Sequence, residues 1–371
     1  PETIERAIFV SKRIVVLVSN DLTYDRRVEK TCEVWAKAGW TLTLVGVRKS
    51  DSQPLNRNYN TLRLSTFFSK GPLFYAVLQC RLFFFLFFRR FDVIWSNDLD
   101  TLLPARLVGW MKRTPVIYDS HELFTEAEGL TGRPVVKSIW RWIESQCFPG
   151  LQRVMTVNDS IAAIFKARYG NQVQVVRNVP TESKASIAGV AVDLPDGDKI
   201  ILQGAYIDPD RGGEELVEAM AYIPQVHLLV VGSGRAIADM KASAGANVTF
   251  LDRLPHEQLK AITSTCLLGL SLDKPTHDNY KFSLPNKLFD YWQSGIPVLA
   301  SPMVEVEKLV LKYNAGQILR SWSPKEMANQ IMEMLCSDDY TTWKKNAVLA
   351  AQENTWEREI KVIERWIDEL S

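Results

Sequence analysis

Short apolar runs alternate with amphipathic stretches along most of the chain. Ile14-Val15-Val16-Leu17-Val18 is β-branched throughout except for Leu17, and it ends at the polar Ser19-Asn20-Asp21. An unbroken apolar run of this length describes a strand covered on both faces, as in a parallel sheet. Asp25 to Ala38 has helical spacing and closes at Gly39. Further strands are predicted at Thr41–Val45, Val93–Ser96, Pro115–Tyr118, Arg153–Val157 and Val173–Val176. Strands alternating with amphipathic helices predict an α/β domain with a parallel sheet between helical layers.

The segment 181–198 is polar, small and acidic, and is the best candidate for a linker. The pattern then restarts. Lys199–Gly204 is a strand running into a glycine turn, Glu214–Ala221 a helix, and Val226–Val231 a strand before Gly232-Ser233-Gly234. Val248–Phe250, Leu267–Leu272 and Pro297–Ala300 complete a second set of strands. The reading is two Rossmann-like, doubly wound domains in tandem, over 1–185 and 186–352. A last helix, Trp356 to Leu370, has Ile360, Ile363, Trp366 and Ile367 on one face; the piece 353–371 is expected to cross back to the first domain. Ligands of open α/β sheets bind at the carboxyl ends of the strands, so polar residues just after strands are the site candidates.

Composition narrows the class. Of 371 residues, 46% are apolar and 23% charged, which is ordinary for a globular chain and excludes collagen-like or disordered organisation. The net charge of +1 argues against a dedicated nucleic-acid binder. It conceals an asymmetry: residues 1–180 carry 25 basic and 16 acidic side chains, the rest 19 and 27. The first half therefore suits an anionic partner, such as a membrane surface or a phosphate-bearing acceptor. Cys32, Cys80, Cys147, Cys266 and Cys336 are few and widely spaced, which predicts no disulfide framework or zinc site and a reducing compartment. The chain starts Pro1-Glu2-Thr3 rather than with Met, so a preceding stretch is expected, and the visible start has no signal-peptide pattern.

The strongest local signal lies at 284–301. Pro285 and Asn286 open a helix, Ser294-Gly295 close it, and Pro297 begins a strand. Lys287 falls in the first turn, where the helix dipole disfavours a cation and an anion ligand would account for it. Asp290, one turn on, is expected to face the same way and to accept hydrogen bonds from a ribose diol. An ordinary Lys–Asp surface pair is the plainer alternative.

Pro285-Asn286-Lys287-Leu288-Phe289-Asp290-Tyr291, followed by Gly295-Ile296-Pro297-Val298, resembles the donor-binding motif of GT-B glycosyltransferases of family 4. Four other segments agree in order. Gln203-Gly204 with Arg211-Gly212-Gly213 resembles the opening of the donor domain, and Gly232-Ser233-Gly234 its second glycine turn. Asp119-Ser120-His121-Glu122 and Asp25-Arg26-Arg27-Val28 resemble acceptor-domain segments. The resemblance implies a GT-B fold, two domains facing across a cleft, and retaining transfer from a nucleotide sugar without a metal. UDP is favoured over GDP as the carrier. Arg211 and Lys287 would then stabilise the leaving diphosphate, since a permanent guanidinium fork suits phosphate. Gly204, Gly212 and Gly232 would let backbone approach it, although plain turn chemistry explains glycines equally well. Asp290 would hold the ribose, and Arg253-Leu254 would line the base. His121 would contact the transferred sugar, Glu122 would orient it or cap the next helix, and Asp25, Arg26 and Asp98 would face the acceptor or the cleft.

One departure stands out. Many members carry a first Glu eight residues before the ribose acid, and here that position is Phe282. Backbone amides around Ser283 and Leu284 are the expected substitute, or the enzyme is impaired. Asn97-Asp98-Leu99-Asp100 contains a D-x-D but no supporting ligand cluster, and reads as loop and cap chemistry with no metal.

The segment 71–91 is the second informative feature. Five phenylalanines lie between Phe83 and Phe88, leaving no polar helical face there. Phe83, Phe84 and Phe87 need a partner layer or lipid, and Arg89 and Arg90 suit anionic headgroups. A deeply buried helix is the alternative. Together with the resemblance, this leads us to expect a protein at the cytoplasmic face of an inner membrane that acts on a lipid-linked or polysaccharide acceptor in cell-surface glycan assembly. A same-fold nucleotide-sugar epimerase or hydrolase, and a non-catalytic partner of another transferase, are the rival readings.

Overall fold

The computed structural model describes residues 11–371 except 24, 51 and 183–193. The linker candidate therefore lies mostly outside the described residues. The chain divides into two compact units, one running to Arg177 and including Ile360–Ser371, the other Asn178–Glu359.

The first unit holds seven strands: β1 Arg13–Leu17, β2 Thr41–Arg48, β3 Asn60–Ser65, β4 Val93–Asn97, β5 Val116–Ser120, β6 Arg153–Thr156 and β7 Gln174–Val175. Their spatial order is β3-β2-β1-β4-β5-β6-β7, and every pairing is parallel. The second unit holds six: β8 Lys199–Gly204, β9 His227–Gly232, β10 Val248–Leu251, β11 Leu268–Ser271, β12 Val298–Ala300 and β13 Gly316–Ile318. Their order is β10-β9-β8-β11-β12-β13, again all parallel. Both sheets reverse direction of growth beside their first strand, between β1 and β4 and between β8 and β11. That reversal opens the crevice where such sheets take ligands.

The apolar runs explain the burial. In β8, Ile200 and Leu202 enter one core and Ile201 enters the core on the opposite face; β9 repeats this with Leu228 and Val230 against Leu229 and Val231. Period-two alternation between two apolar layers is what a doubly covered strand requires. In the first unit, the helices Pro72–Phe87 and Leu99–Lys112 pack Leu78, Leu82, Ala105 and Val108 onto Val15, Val45 and Ile94. Each fully buried aliphatic side chain stabilises by roughly 1.5–3 kcal/mol.

Two strands carried no readable signal. Edge strand β3 is half-exposed and reads Asn-Thr-Leu-Arg-Leu-Ser, while β13 has three residues. The expected single helix from Trp356 to Leu370 is instead two, Trp356–Glu359 and Lys361–Leu370. The reason is a change of unit at this point. The Trp356 amide donates to Pro180 O in the second unit at 2.8 Å, whereas Trp366 meets Trp95 of the first edge-on at 6.3 Å.

Candidate functional site

In the first unit, charged side chains gather after β1, β4 and β5. Helix Arg26–Lys37 begins with Asp25, whose Oδ1 accepts the Val28 amide at 3.1 Å. Asp25 is thus a helix cap, with its Oδ2 accepting from Asn20 Nδ2 at 2.9 Å. Arg26 points to solvent, and its neighbour Arg27 is the buried one. Arg27 grips Asp119 with two hydrogen bonds, Nε at 3.0 Å and Nη2 at 2.7 Å, and donates Nη1 to Val176 O at 2.6 Å. A bidentate fork of this kind holds a carboxylate charged in a buried place. Burial works to raise the Asp119 pKa, but Arg27 and then His121 outweigh it and bring it below the usual range.

His121 sits between two carboxylates. Its Nε2 lies 3.3 Å from Asp119 Oδ2 and its Nδ1 3.5 Å from Asp98 Oδ2. The His121 amide donates to Asp98 Oδ1 at 2.8 Å. Burial opposes its charge, yet the charges of Asp98 and Asp119 prevail and lift its pKa to about 9. Burial raises Asp98 to about 6 against the pull of His121. Burial, reinforced by Asp98, raises the almost fully buried Asp100 to about 7.

The expectation of cap chemistry at Asp98 is corrected here: its side chain caps no helix amide and instead holds His121. Asp98 does so from φ 56° and ψ 168°, a conformation that costs a non-glycine residue of order 1–3 kcal/mol. His121 caps no helix either. Glu122 contributes its carbonyl, which accepts from Ser120 Oγ at 2.8 Å.

In the second unit, the cluster lies beside β8 and β11. Arg211 follows β8 and Lys287 begins helix Asn286–Gln293. Both converge on Asp273, just after β11. Arg211 Nη1 and Lys287 Nζ each stand 3.1 Å from the same oxygen, Asp273 Oδ1. Asp273 is wholly buried and Lys287 is 12% exposed. Sequence reasoning missed Asp273. It is the anion that a first-turn lysine calls for, supplied by the chain itself. Burial tends to neutralise all three groups, but the mutual charges keep Asp273 low and Arg211 high. For Lys287 burial wins: despite Asp273, its pKa is lowered, and Arg211 adds to the lowering. The Arg211 guanidinium also lies 4.5 Å from the Tyr280 ring centroid.

Asp290 has different neighbours from Lys287. It accepts from Gln203 Nε2 at 3.3 Å, at the end of β8, and borders a recess with His256, Lys260 and Thr263. Arg253 is exposed and lies 4.3 Å from the Tyr206 ring centroid, while Leu254 packs against the core. Ser283 and Leu284 are half-buried. The Ser283 amide is already committed to Tyr280 O at 2.9 Å, so that half of the expected substitute for a first acid is engaged in a turn. The glycines are demanded by the fold itself. A Cβ on Gly232 would meet Gly204 O at 1.9 Å, and one on Gly212, at φ +68°, would meet Leu272 O at 2.4 Å. Close backbone packing thus accounts for Gly212 and Gly232 whether or not a ligand approaches them.

Of the aromatic segment, Phe83 is half-buried, whereas Phe84, Phe87, Arg89 and Arg90 are exposed. Among the described residues, no helix is long and apolar enough to cross a membrane.

Two parallel sheets of this order, each with charged side chains at its switch point, fit the two-domain GT-B fold. The profile of the Glycosyl transferase 4-like domain matches residues 23–180, and that of Glycosyl transferases group 1 matches 197–337. The chain belongs to this GT-B family of glycosyltransferases and is a glycosyltransferase. Sequence comparison with curated proteins finds no match. Solved structures resemble it in fold. A sucrose-phosphate synthase from Thermosynechococcus elongatus aligns with TM-score 0.76 and 19% identity over 97% of this chain and 99% of that one. HepE from Anabaena, solved with UDP and glucose, aligns at 0.70 and 15% over 96% and 99%. WaaG, a glycosyltransferase involved in lipopolysaccharide biosynthesis, aligns at 0.63 and 14% over 98% and 100%.

Proposed function

We propose that this enzyme transfers a sugar from a nucleotide diphosphate donor, with UDP as the favoured carrier, to a lipid-linked or polysaccharide acceptor. The transfer retains anomeric configuration and uses no metal. The observation that carries the reading is the convergence of Arg211 and Lys287 at 3.1 Å on buried Asp273, at the switch point of the second sheet. Two cations beside one internal anion leave a net positive charge where a diphosphate leaving group develops negative charge. In this reading Asp290, beside Gln203, takes the ribose, and Arg253 with Tyr206 lines the base. HepE was solved with UDP and with UDP-glucose, which supports the choice of carrier. In this reading His121, held charged by Asp98 and Asp119, acts at the transferred sugar as a hydrogen-bond donor rather than as a base.

The test is a thermal-shift screen against UDP, GDP, ADP and dTDP, with and without EDTA. A ligand that binds only the folded state stabilises it by about 2.7 kcal/mol at 100 Kd. A shift with UDP, unchanged by EDTA and followed by acceptor-dependent UDP release, is expected. No shift with any of them would overturn the donor assignment and favour the non-catalytic partner that Phe282 suggests. Release of UDP without an acceptor would favour the epimerase or hydrolase.

A further inference from the structure

The helices Pro72–Phe87, Leu99–Lys112 and Pro134–Cys147 lie side by side in the first unit. Gln79 Nε2 of the first donates to Asp100 O of the second at 2.7 Å. Tyr75 of the first meets Trp140 of the third edge-on at 5.2 Å. Each helix buries one stripe and leaves another uncovered. On the first helix the uncovered stripe is Leu73, Ala76, Cys80, Phe84 and Phe87, at helical spacing and without a polar member, and it continues into Phe88. On the second it is Leu107, Trp110 and Met111; on the third, Val135, Ile139 and Trp142. The largest rings are the most open: Trp110 is 81% exposed, Phe88 75% and Trp142 61%. Isolated exposed apolar residues are ordinary on a surface, but here three helices packed side by side each carry an uncovered apolar stripe.

The charge on the same helices is one-sided. Their only carboxylates are Asp100 and Glu144, and both are buried. Arg89, Arg90, Arg113 and Arg133 are exposed on the helices or at their ends, while Arg141, also exposed, pairs with Glu126 at 2.9 Å. Arg89 and Arg90 also border, with Arg13 and Phe88, an open depression at the end of the first helix. Lys112 caps that same end, donating to Leu86 O at 2.9 Å and Phe87 O at 2.6 Å.

We infer that this three-helix face is a docking surface for an anionic lipid bilayer, with the Trp and Phe rings entering the headgroup boundary and the arginines meeting the phosphates. The face extends beyond the 71–91 segment to Trp110 and Trp142, on helices that the sequence did not single out. It stands on observations separate from the donor site, so its failure and that of the donor assignment are distinguishable.

The experiment is vesicle co-sedimentation of the full chain without nucleotide. Phosphatidylcholine vesicles are compared with vesicles also containing phosphatidylglycerol. Wild-type protein should pellet with the anionic vesicles, and less so as salt is raised. Arg89→Glu/Arg90→Glu should lower that partition by about tenfold or more. Trp110→Glu and Phe88→Glu should do the same while leaving the melting temperature and the UDP shift intact. A fluorophore on Cys80, with Cys336→Ser removing the other exposed thiol, should shift to the blue only with anionic vesicles. Wild-type partition equal on both vesicles, or unaffected by these substitutions, would overturn the inference. So would a stable dimer, broken by Trp110→Glu, that ignores vesicles: the face would then be covered by a second copy.

Discussion

The charged clusters of the two units stand on sheets of the same strand order, yet their balance is opposite. In the first, Asp98, Asp100 and Asp119 surround two cationic side chains, His121 and Arg27. In the second, Arg211 and Lys287 flank the single carboxylate of Asp273. The common scaffold supplies the place, the crevice beside a reversal of strand order. The sign is set by a few side chains just after the strands. The first cluster spends its carboxylates on holding one imidazole charged and oriented. The second retains a positive balance available to an anion. In the proposed reading, similar folds therefore present a positioned donor on one sheet and an anion receptor on the other.

The sharpest way to break the contrast is to remove a cation from the carboxylate-rich side. Arg27→Ala leaves Asp119 buried without its guanidinium, and loss of one partner of such a pair costs about 3–5 kcal/mol. Urea unfolding should show it, with Asp119→Asn milder because no charge is stranded. An Arg27→Ala protein as stable as wild type would show that the pair is not structural.

On the cation-rich side, Arg211→Ala and Lys287→Ala should each weaken UDP binding by about tenfold to a hundredfold, the range of a lost charge-assisted hydrogen bond. Calorimetric titration checks this, and normal binding in both would remove the phosphate assignment. His121→Ala should leave UDP affinity unchanged while lowering kcat by about a hundredfold or more, the size of effect seen when a preorganised transition-state hydrogen-bond donor is removed. The opposite pattern would take His121 away from the reacting sugar.

The two clusters should also respond to pH differently. A His121 pKa raised to about 9 means that the imidazolium stabilises the fold fully below pH ~6.5, and that this contribution is lost as pH rises through about 9. The transfer rate should fall over the same upper window, and His121→Ala should lack that limb. On the other side, Asp273→Asn deprives Lys287 of its counter-charge, and burial then favours the neutral amine. UDP affinity of that variant should fall as pH is raised, the direction in which a lysine of lowered pKa discharges, and at lower pH than in wild type. The smallest effect is expected at Asp290→Ala. It removes about one hydrogen bond to the ribose, a loss of roughly three- to tenfold in affinity.

Part of this organisation was legible along the chain. The buried strands β1, β4, β8 and β9 are unbroken apolar runs, so local composition and tertiary burial point the same way. Arg211, Lys287 and His121 follow strands or open a helix, where the scaffold alone marks them. Arg27 and Asp273 were less legible. Each sits in a segment whose local pattern is ordinary, Arg27 within a helix and Asp273 in a loop. Their importance comes from partners 92 and 14 residues away. The same distance effect hid Trp110 and Trp142, which stand exposed on two further helices packed beside the one that carries Phe84.

The sequence by itself determined the two parallel-sheet units, because hydrophobic periodicity acts over neighbouring residues and any fold must bury those runs. It also marked the lysine in an unfavourable first turn and the surplus of phenylalanines. Only the tertiary structure decided what answers them. Charge neutralisation depends on which side chains come within a few ångströms after strand order is established, and that order is not written in any local period. Hence Asp273 rather than an outside anion meets Lys287, Asp98 holds an imidazole rather than a helix end, and the aromatic stripe is left outside rather than buried.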